Sequence, residues 1–114
     1  MTREQFEESM SGIQLLSDGW LDGNAKAITN KAFDAAMQGV LYAFSNAPEG
    51  YPYVYPTPEG GVRLEWGGDG KDDTDITVLV RPDGTTVMDI IGMEMSYCSE
   101  GMCLIRNWYF RRNQ

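Results

Sequence analysis

The sequence predicts an α+β domain in which two N-terminal helices pack on an antiparallel sheet of four to five strands, in two layers. Up to residue 46, apolar residues recur at helical spacing. From residue 51 onward they alternate at period two between turn sequences. Helices and strands are therefore segregated along the chain, as is typical of folds with an antiparallel sheet. The length of 114 residues predicts a single domain over residues 1–114.

The first helix is predicted over residues 2–16. Thr2 and Gln5 stand three positions apart, the spacing of a capping box. An apolar stripe of Phe6, Met10 and Ile13 follows. In the loop at 17–28, Trp20 lies between two turn sequences, so we expect its ring to tuck onto the core and its N–H to find a carbonyl.

The second helix is predicted over residues 30–46, with Thr29 or Asn30 as its N-cap. Its apolar residues follow the spacing i, i+3, i+4, i+7, i+8 and i+11, which gives a face wide enough to pack on a sheet. The residues on this face are Phe33, Ala36, Met37, Val40, Leu41 and Phe44.

The sheet is predicted from about residue 53 to residue 110. An edge strand is expected first, because tyrosines alternate with prolines and proline excludes a central position. Strands follow at Val62–Trp66 and Asp75–Arg81, and the turn Pro82–Thr85 leads into a return strand over Thr86–Met93. Residues 95–101 are predicted as a loop. The apolar segment Met102–Phe110 fits either a strand, which its β-branched and aromatic residues favour, or a short helix.

Charge is distributed unevenly along the chain, whose net charge is −8. Residues 1–100 contain all 17 acids and six of the nine bases, which gives −11, whereas the last fourteen residues carry +3. An acidic body repels phosphates, so direct nucleic-acid binding is not expected. It can instead dock on a basic protein surface, although a simple role in solubility accounts for the charge equally well.

The chain contains no histidine, which excludes histidine-based catalysis and histidine-containing metal sites. The two cysteines, Cys98 and Cys103, are interpreted as free thiols, because no export signal is recognised and the expected compartment is the reducing cytoplasm. No apolar run is long enough to span a membrane. No cofactor, no metal and no catalytic residue are therefore predicted, and the protein is expected not to be an enzyme.

The candidate binding residues are an acidic loop and two tyrosines. Tyrosine is enriched in protein-binding surfaces, because it offers a large contact area at a small entropic cost. The alternatives are a solvated hairpin tip for the acids and rings that merely cover the sheet edge for the tyrosines. The partner-binding residues predicted from the sequence are Asp69, Asp72, Asp73, Asp75, Tyr53 and Tyr55.

Two loop sequences and one hairpin sequence resemble those of a known group of proteins. The sequences are Gly19-Trp20-Leu21-Asp22-Gly23, the hairpin segment YPTPEGGVRLEW at 55–66, and Arg81-Pro82-Asp83-Gly84. Together, over residues 17–85, they resemble small bacterial and phage proteins that share a GW-x-DG loop and a YPTPEGGV-x-LEW hairpin and have no assigned activity. The resemblance implies a prokaryotic cytoplasmic setting and a role in mobile-element or conflict biology.

These observations lead to three functional hypotheses. The first is a non-catalytic inhibitor that docks on a basic, nucleic-acid-binding surface of a protein partner, such as an anti-CRISPR or other anti-defence protein, or else an antitoxin or immunity protein. The second is a homodimeric assembly subunit that associates through its aromatic sheet edge. The third is a small hydrolase that uses a carboxylate pair such as Glu65 and Asp89.

Overall fold

The computed structural model describes residues 1–44, 49–66, 76–90 and 93–96. For residues 88–90 and 93–96 it describes the backbone only. Two helices precede five strands, which confirms the predicted α+β class. The helices are α1 and α2 and the strands β1 to β5. In chain order their bounds are Arg3–Gln14, Asn30–Phe44, Tyr53–Pro56, Val62–Trp66, Ile76–Val80, Thr86–Ile90 and Met93–Ser96.

Helix α1 begins at the predicted capping box. The Thr2 hydroxyl accepts from the Gln5 N–H at 3.2 Å, and the Gln5 side chain accepts from the Thr2 N–H at 3.0 Å. The predicted stripe of Phe6, Met10 and Ile13 is buried. This helix lies over β1 and against α2.

Helix α2 is capped by Thr29, whose hydroxyl accepts from the Ala32 N–H at 3.1 Å and donates to the Pro82 carbonyl at 2.6 Å. The helix packs on β2 and β3. Its most buried line consists largely of small residues, because these let the helix backbone approach the sheet closely. The predicted face is confirmed in part: Ala36, Val40 and Phe44 are buried. Phe33, Met37 and Leu41 are half-buried and pack against the core at its border. The buried residues are Ala32, Ala36, Gly39, Val40, Ala43 and Phe44.

The sheet is an antiparallel meander in the order β1-β2-β3-β4-β5. Strand β1 lies at one edge, as its prolines predicted. The Thr57 N–H donates to the Gly61 carbonyl at 3.1 Å, which continues the register Tyr55↔Arg63. In an antiparallel ladder, the backbone nitrogens that point away from β2, toward the free edge of the sheet, are then those of the alternate positions, Val54 and Pro56. Because proline has no N–H, Pro56 removes one of the donors with which another strand could pair.

The prediction for the last described strands was wrong in its boundaries. The return strand ends at Ile90, not Met93, and Met93–Ser96 pairs back on it as β5, in part where a loop was expected. Ile90 pairs with Met93, so only two residues separate the strands. The predicted element at 102–110 and both cysteines lie outside the described residues.

The inner face of the sheet forms the core with both helices. Val62, Leu64 and Trp66 of β2 are buried, and their register partners on β3 are buried with them. An aromatic cluster closes one end: Phe44 stacks on Trp66 with centroids 6.0 Å apart, and the Tyr51 ring lies 5.6 Å from both Phe44 and Phe6. The Trp66 N–H donates to the Gly50 carbonyl at 2.9 Å, so this buried donor is satisfied.

Candidate binding surface

The outer face of the sheet lies opposite the helices and carries both predicted tyrosines. Tyr53 is 45% exposed and Tyr55 is 39% exposed, although β1 is paired along its length with β2. The register places Tyr53 beside Glu65 and Tyr55 beside Arg63. Because residues directly opposite each other share a face, these four side chains form one surface.

Two rows of register positions cross this face from β1 to β5. The aromatic–apolar row consists of Tyr55, Arg63, Leu79, Val87 and Ser96. The acidic row consists of Tyr53, Glu65, Thr77, Asp89 and Glu94. Leu79 and Val87 are half-buried although no helix lies on this side of the described strands.

The acidic row also bears on the hydrolase hypothesis. The register places Asp89 opposite Glu94 in the ladder. Thr77 separates Asp89 from Glu65, so the two acids on which the hydrolase hypothesis rests occupy strands about 10 Å apart, twice the interstrand spacing.

Arg63 is the cation at the centre of the described outer face, and its charge is already engaged. Its Nε donates to a Glu65 carboxylate oxygen at 3.1 Å, and its guanidinium carbon lies 5.2 Å from the centroid of the Tyr55 ring. The cation–π contact and the ion pair restrict the positions of the Tyr55 ring and the Glu65 carboxylate.

The predicted acidic residues Asp69, Asp72, Asp73 and Asp75 lie outside the described residues. The positions at which their segment leaves and rejoins the sheet are nevertheless described. Trp66 ends β2, Ile76 begins β3, and the two are paired. This is the same end of the sheet at which Tyr53 pairs with Glu65. The topology therefore brings both ends of the acidic segment next to the acidic row.

A small pocket borders the other end of the outer face. Its volume is about 260 Å³, and it is lined by Thr57, Glu59, Leu79, Val80, Arg81 and Pro82. It was not predicted from the sequence, because two segments that are distant in the chain meet there. The signal that was available was the hairpin motif itself, since a turn with two consecutive glycines indicates close approach of another backbone.

Hydrogen bonds fix the β3–β4 turn beside this pocket. The Asp83 carboxylate accepts from both the hydroxyl and the N–H of Thr85, at 2.6 and 2.9 Å. The bond from the Thr85 hydroxyl is the main reason that the pKa of Asp83 lies below its ordinary value. The predicted turn at Pro82–Thr85 is thus confirmed.

Of the two predictions for Trp20, the hydrogen bond is confirmed and the packing of its ring on the core is not. Its indole N–H donates to the Lys26 carbonyl at 2.8 Å, as expected. Its ring is half-buried and lies outside the core cluster that the described residues form. The ring therefore closes its own loop instead of packing on the sheet.

Comparison of the chain with protein-family models, with curated proteins and with solved structures gave no match. The resemblance to the GW-x-DG and YPTPEGGV-x-LEW proteins therefore stays a prediction. Neither helix among the described residues is long and apolar enough to cross a membrane. Within the same residues, no three acids or cysteines are grouped closely enough to hold a metal ion.

Proposed function

We propose that the protein is a non-catalytic inhibitor that docks the outer face of its sheet on a basic surface of a protein partner. The observation that carries this proposal is the exposed pair of Tyr53 and Tyr55 beside an acidic row, on the face that the helices leave uncovered. Aromatic rings supply contact area at the centre of such an interface. The net charge of −11 over residues 1–100 steers a basic partner toward them.

A basic surface that ordinarily holds nucleic acid is the partner class that fits this combination best. Such a surface presents lysines and arginines spaced for phosphates, and the acidic row together with the acidic segment at 67–75 offers carboxylates in their place. Occupying it would block access of the nucleic acid. An anti-CRISPR or other anti-defence inhibitor works in this way, and an antitoxin that covers a nuclease toxin would use the same chemistry.

Affinity capture from a bacterial host tests the proposal when it is run with four forms of the tagged full chain. The forms are wild type, Tyr53→Ser with Tyr55→Ser, Asp72→Lys with Asp73→Lys, and a control with Tyr42→Ser and Asp34→Lys on the exposed side of α2. We expect one basic protein to be captured by the wild type and the control only, and to be released by rising salt. Capture that survives both the tyrosine and the aspartate changes would refute the proposal.

Light scattering on the isolated chain separates this function from the homodimer hypothesis. The homodimer hypothesis places the contact at the aromatic sheet edge, which carries Tyr53 and Tyr55. We expect a monomer at all concentrations. A dimer that the two tyrosine changes dissociate would assign the outer face to a second copy of the chain.

A further inference from the structure

The pocket beside the outer face has the size of a single side chain. Its volume of about 260 Å³ lies below the roughly 300 Å³ at which pockets for small-molecule ligands begin. Leu79 connects it to the aromatic–apolar row, because Leu79 is paired with Arg63, which is paired in turn with Tyr55. A partner seated on the tyrosines would therefore lie over the mouth of the pocket.

Hydrogen bonds hold the turn that carries Glu59. The Thr57 hydroxyl accepts from the Gly61 N–H at 2.9 Å, and the Gly60 N–H donates to the Thr57 carbonyl at 3.0 Å. The loop between α1 and α2 also contacts this turn, because the Lys26 N–H donates to the Pro58 carbonyl at 2.9 Å.

Two glycines make this packing possible. A Cβ at Gly60, whose φ is +95°, would come within 2.8 Å of the Ala27 carbonyl oxygen. A Cβ at Gly61 would collide with the carbonyl oxygen of Val80. The hairpin motif thus builds one wall of a preformed pocket.

The pocket offers a carboxylate that is free to bind a ligand. Glu59 is exposed, and its carboxylate has no hydrogen-bond or ion-pair partner among the described residues. The other charged lining residue, Arg81, donates from its guanidinium to the Thr85 hydroxyl at 3.4 Å, so this group is directed toward its own turn.

We propose that this pocket receives a lysine or arginine side chain of the partner, with the aliphatic stem on Leu79 and Pro82 and the cationic head on Glu59. Lysine and arginine have this combination of an apolar stem and a charged end. The inference deepens the proposed function, on which it rests for the identity of the ligand as part of a protein. It assigns the pocket as the position that selects one basic residue of the partner surface.

The test uses small probes and the full chain, so it does not require the partner. N-acetyl-arginine-methylamide is titrated into the ¹⁵N-labelled protein, in parallel with N-acetyl-norleucine-methylamide, which has an apolar stem and no charge. We expect saturable shifts of the Gly60, Gly61 and Arg81 amides with the arginine probe, at a Kd on the order of millimolar. Glu59→Gln should weaken this binding roughly threefold to tenfold, whereas Asp34→Asn on α2 should leave it unchanged.

Three results would overturn the inference: no shift at these amides, equal shifts with the norleucine probe, or unchanged binding in Glu59→Gln. The substitution is at an exposed turn position, and the spectrum itself reports that the variant is folded. Failure here is distinguishable from failure of the proposed function. If the probe does not bind but capture still depends on Tyr53 and Tyr55, only the pocket inference fails. If the probe binds but capture ignores the outer face, only the docking proposal fails.

Discussion

The two faces of the sheet are built from the same strands and differ in what covers them. On the inner face, Leu64 and Val78 are fully buried beneath the helices. On the outer face, Tyr55 of β1 and Leu79 of β3 lie on either side of Arg63 of β2, and no helix of the described chain lies over them. Side chains on the exposed face contribute less to stability than those in the core, because they bury less area. The inner face forms the core of the fold, and the outer face is the surface that we propose meets the partner.

The largest expected effect is a difference in the free energy of unfolding between the same substitution on the inner and on the outer face. Leu64→Ala removes a fully buried side chain and leaves a cavity, so we expect a loss of about 3 kcal/mol in the free energy of unfolding. Leu79→Ala, the same change on the outer face, should cost about 1 kcal/mol because the side chain is only half-buried. Urea unfolding measures both. Equal losses would show that the outer face is also part of a core.

The next effect concerns Gly61, in the turn between β1 and β2. Gly61→Ala should destabilise the protein by about 2 kcal/mol, because the added Cβ meets the Val80 carbonyl across the hairpin. Gly12→Ala is the matched control: Gly12 is exposed in α1, and a Cβ there meets no atom within 4 Å. It should stabilise the protein by about 0.5 kcal/mol, since alanine favours helix. Thermal unfolding that ranks the two variants in the opposite order would contradict the packing at the hairpin.

A smaller effect compares two tryptophans that each donate to a carbonyl. Trp66→Phe leaves the Gly50 carbonyl in the core without its donor, so we expect a cost of about 1.5 kcal/mol. Trp20→Phe breaks the bond to Lys26 at a solvent-exposed site, where water replaces the donor, and should cost under about 1 kcal/mol. Denaturant midpoints give both values. A greater cost at Trp20 would place its ring in the core after all.

The smallest effect is electrostatic and lies at the rim of the outer face. The pKa of Asp83 is lowered in the folded protein by the Thr85 hydroxyl, so this carboxylate stabilises the fold at neutral pH. The contribution is lost as the pH falls through that lowered pKa. Thr85→Val removes the hydroxyl, and we expect the Asp83 pKa to rise toward its ordinary value in a carboxyl NMR titration. An unchanged pKa of Asp83 would contradict the prediction, because it would show that the Thr85 hydroxyl is not the group that lowers this pKa.

Local patterns predicted most of the fold, because each element carries its own signal. Thr2 and Gln5 mark the start of α1, and alternation marks the strands. The inward line of α2 was predicted in part, since Ala36 belonged to the predicted face. Gly39 was missed because hydrophobicity gives weight to Phe33 and Met37, whereas a close helix–sheet approach selects small residues. The start of β5 was missed because residues 86–93 read as one continuous strand.

The sequence predicted only the part of the candidate site whose residues lie close together in the chain. The alternation of Tyr53 and Tyr55 placed them on one face, and the structure shows that this face is open. The acidic row depends on the pairing of all five described strands, which no short window of sequence contains. The Glu59 pocket likewise depends on residues 57–59 meeting residues 79–82 across a hairpin.

The strictly sequential strand order has a consequence for biosynthesis. Every described strand pairs with the one made immediately before it, so this sheet is able to grow in the order in which the ribosome releases the chain. Among the described strands, none has to wait for a distant partner, and loop-closure entropy stays small at each step. A sheet assembled in this way passes through few states with unpaired strands.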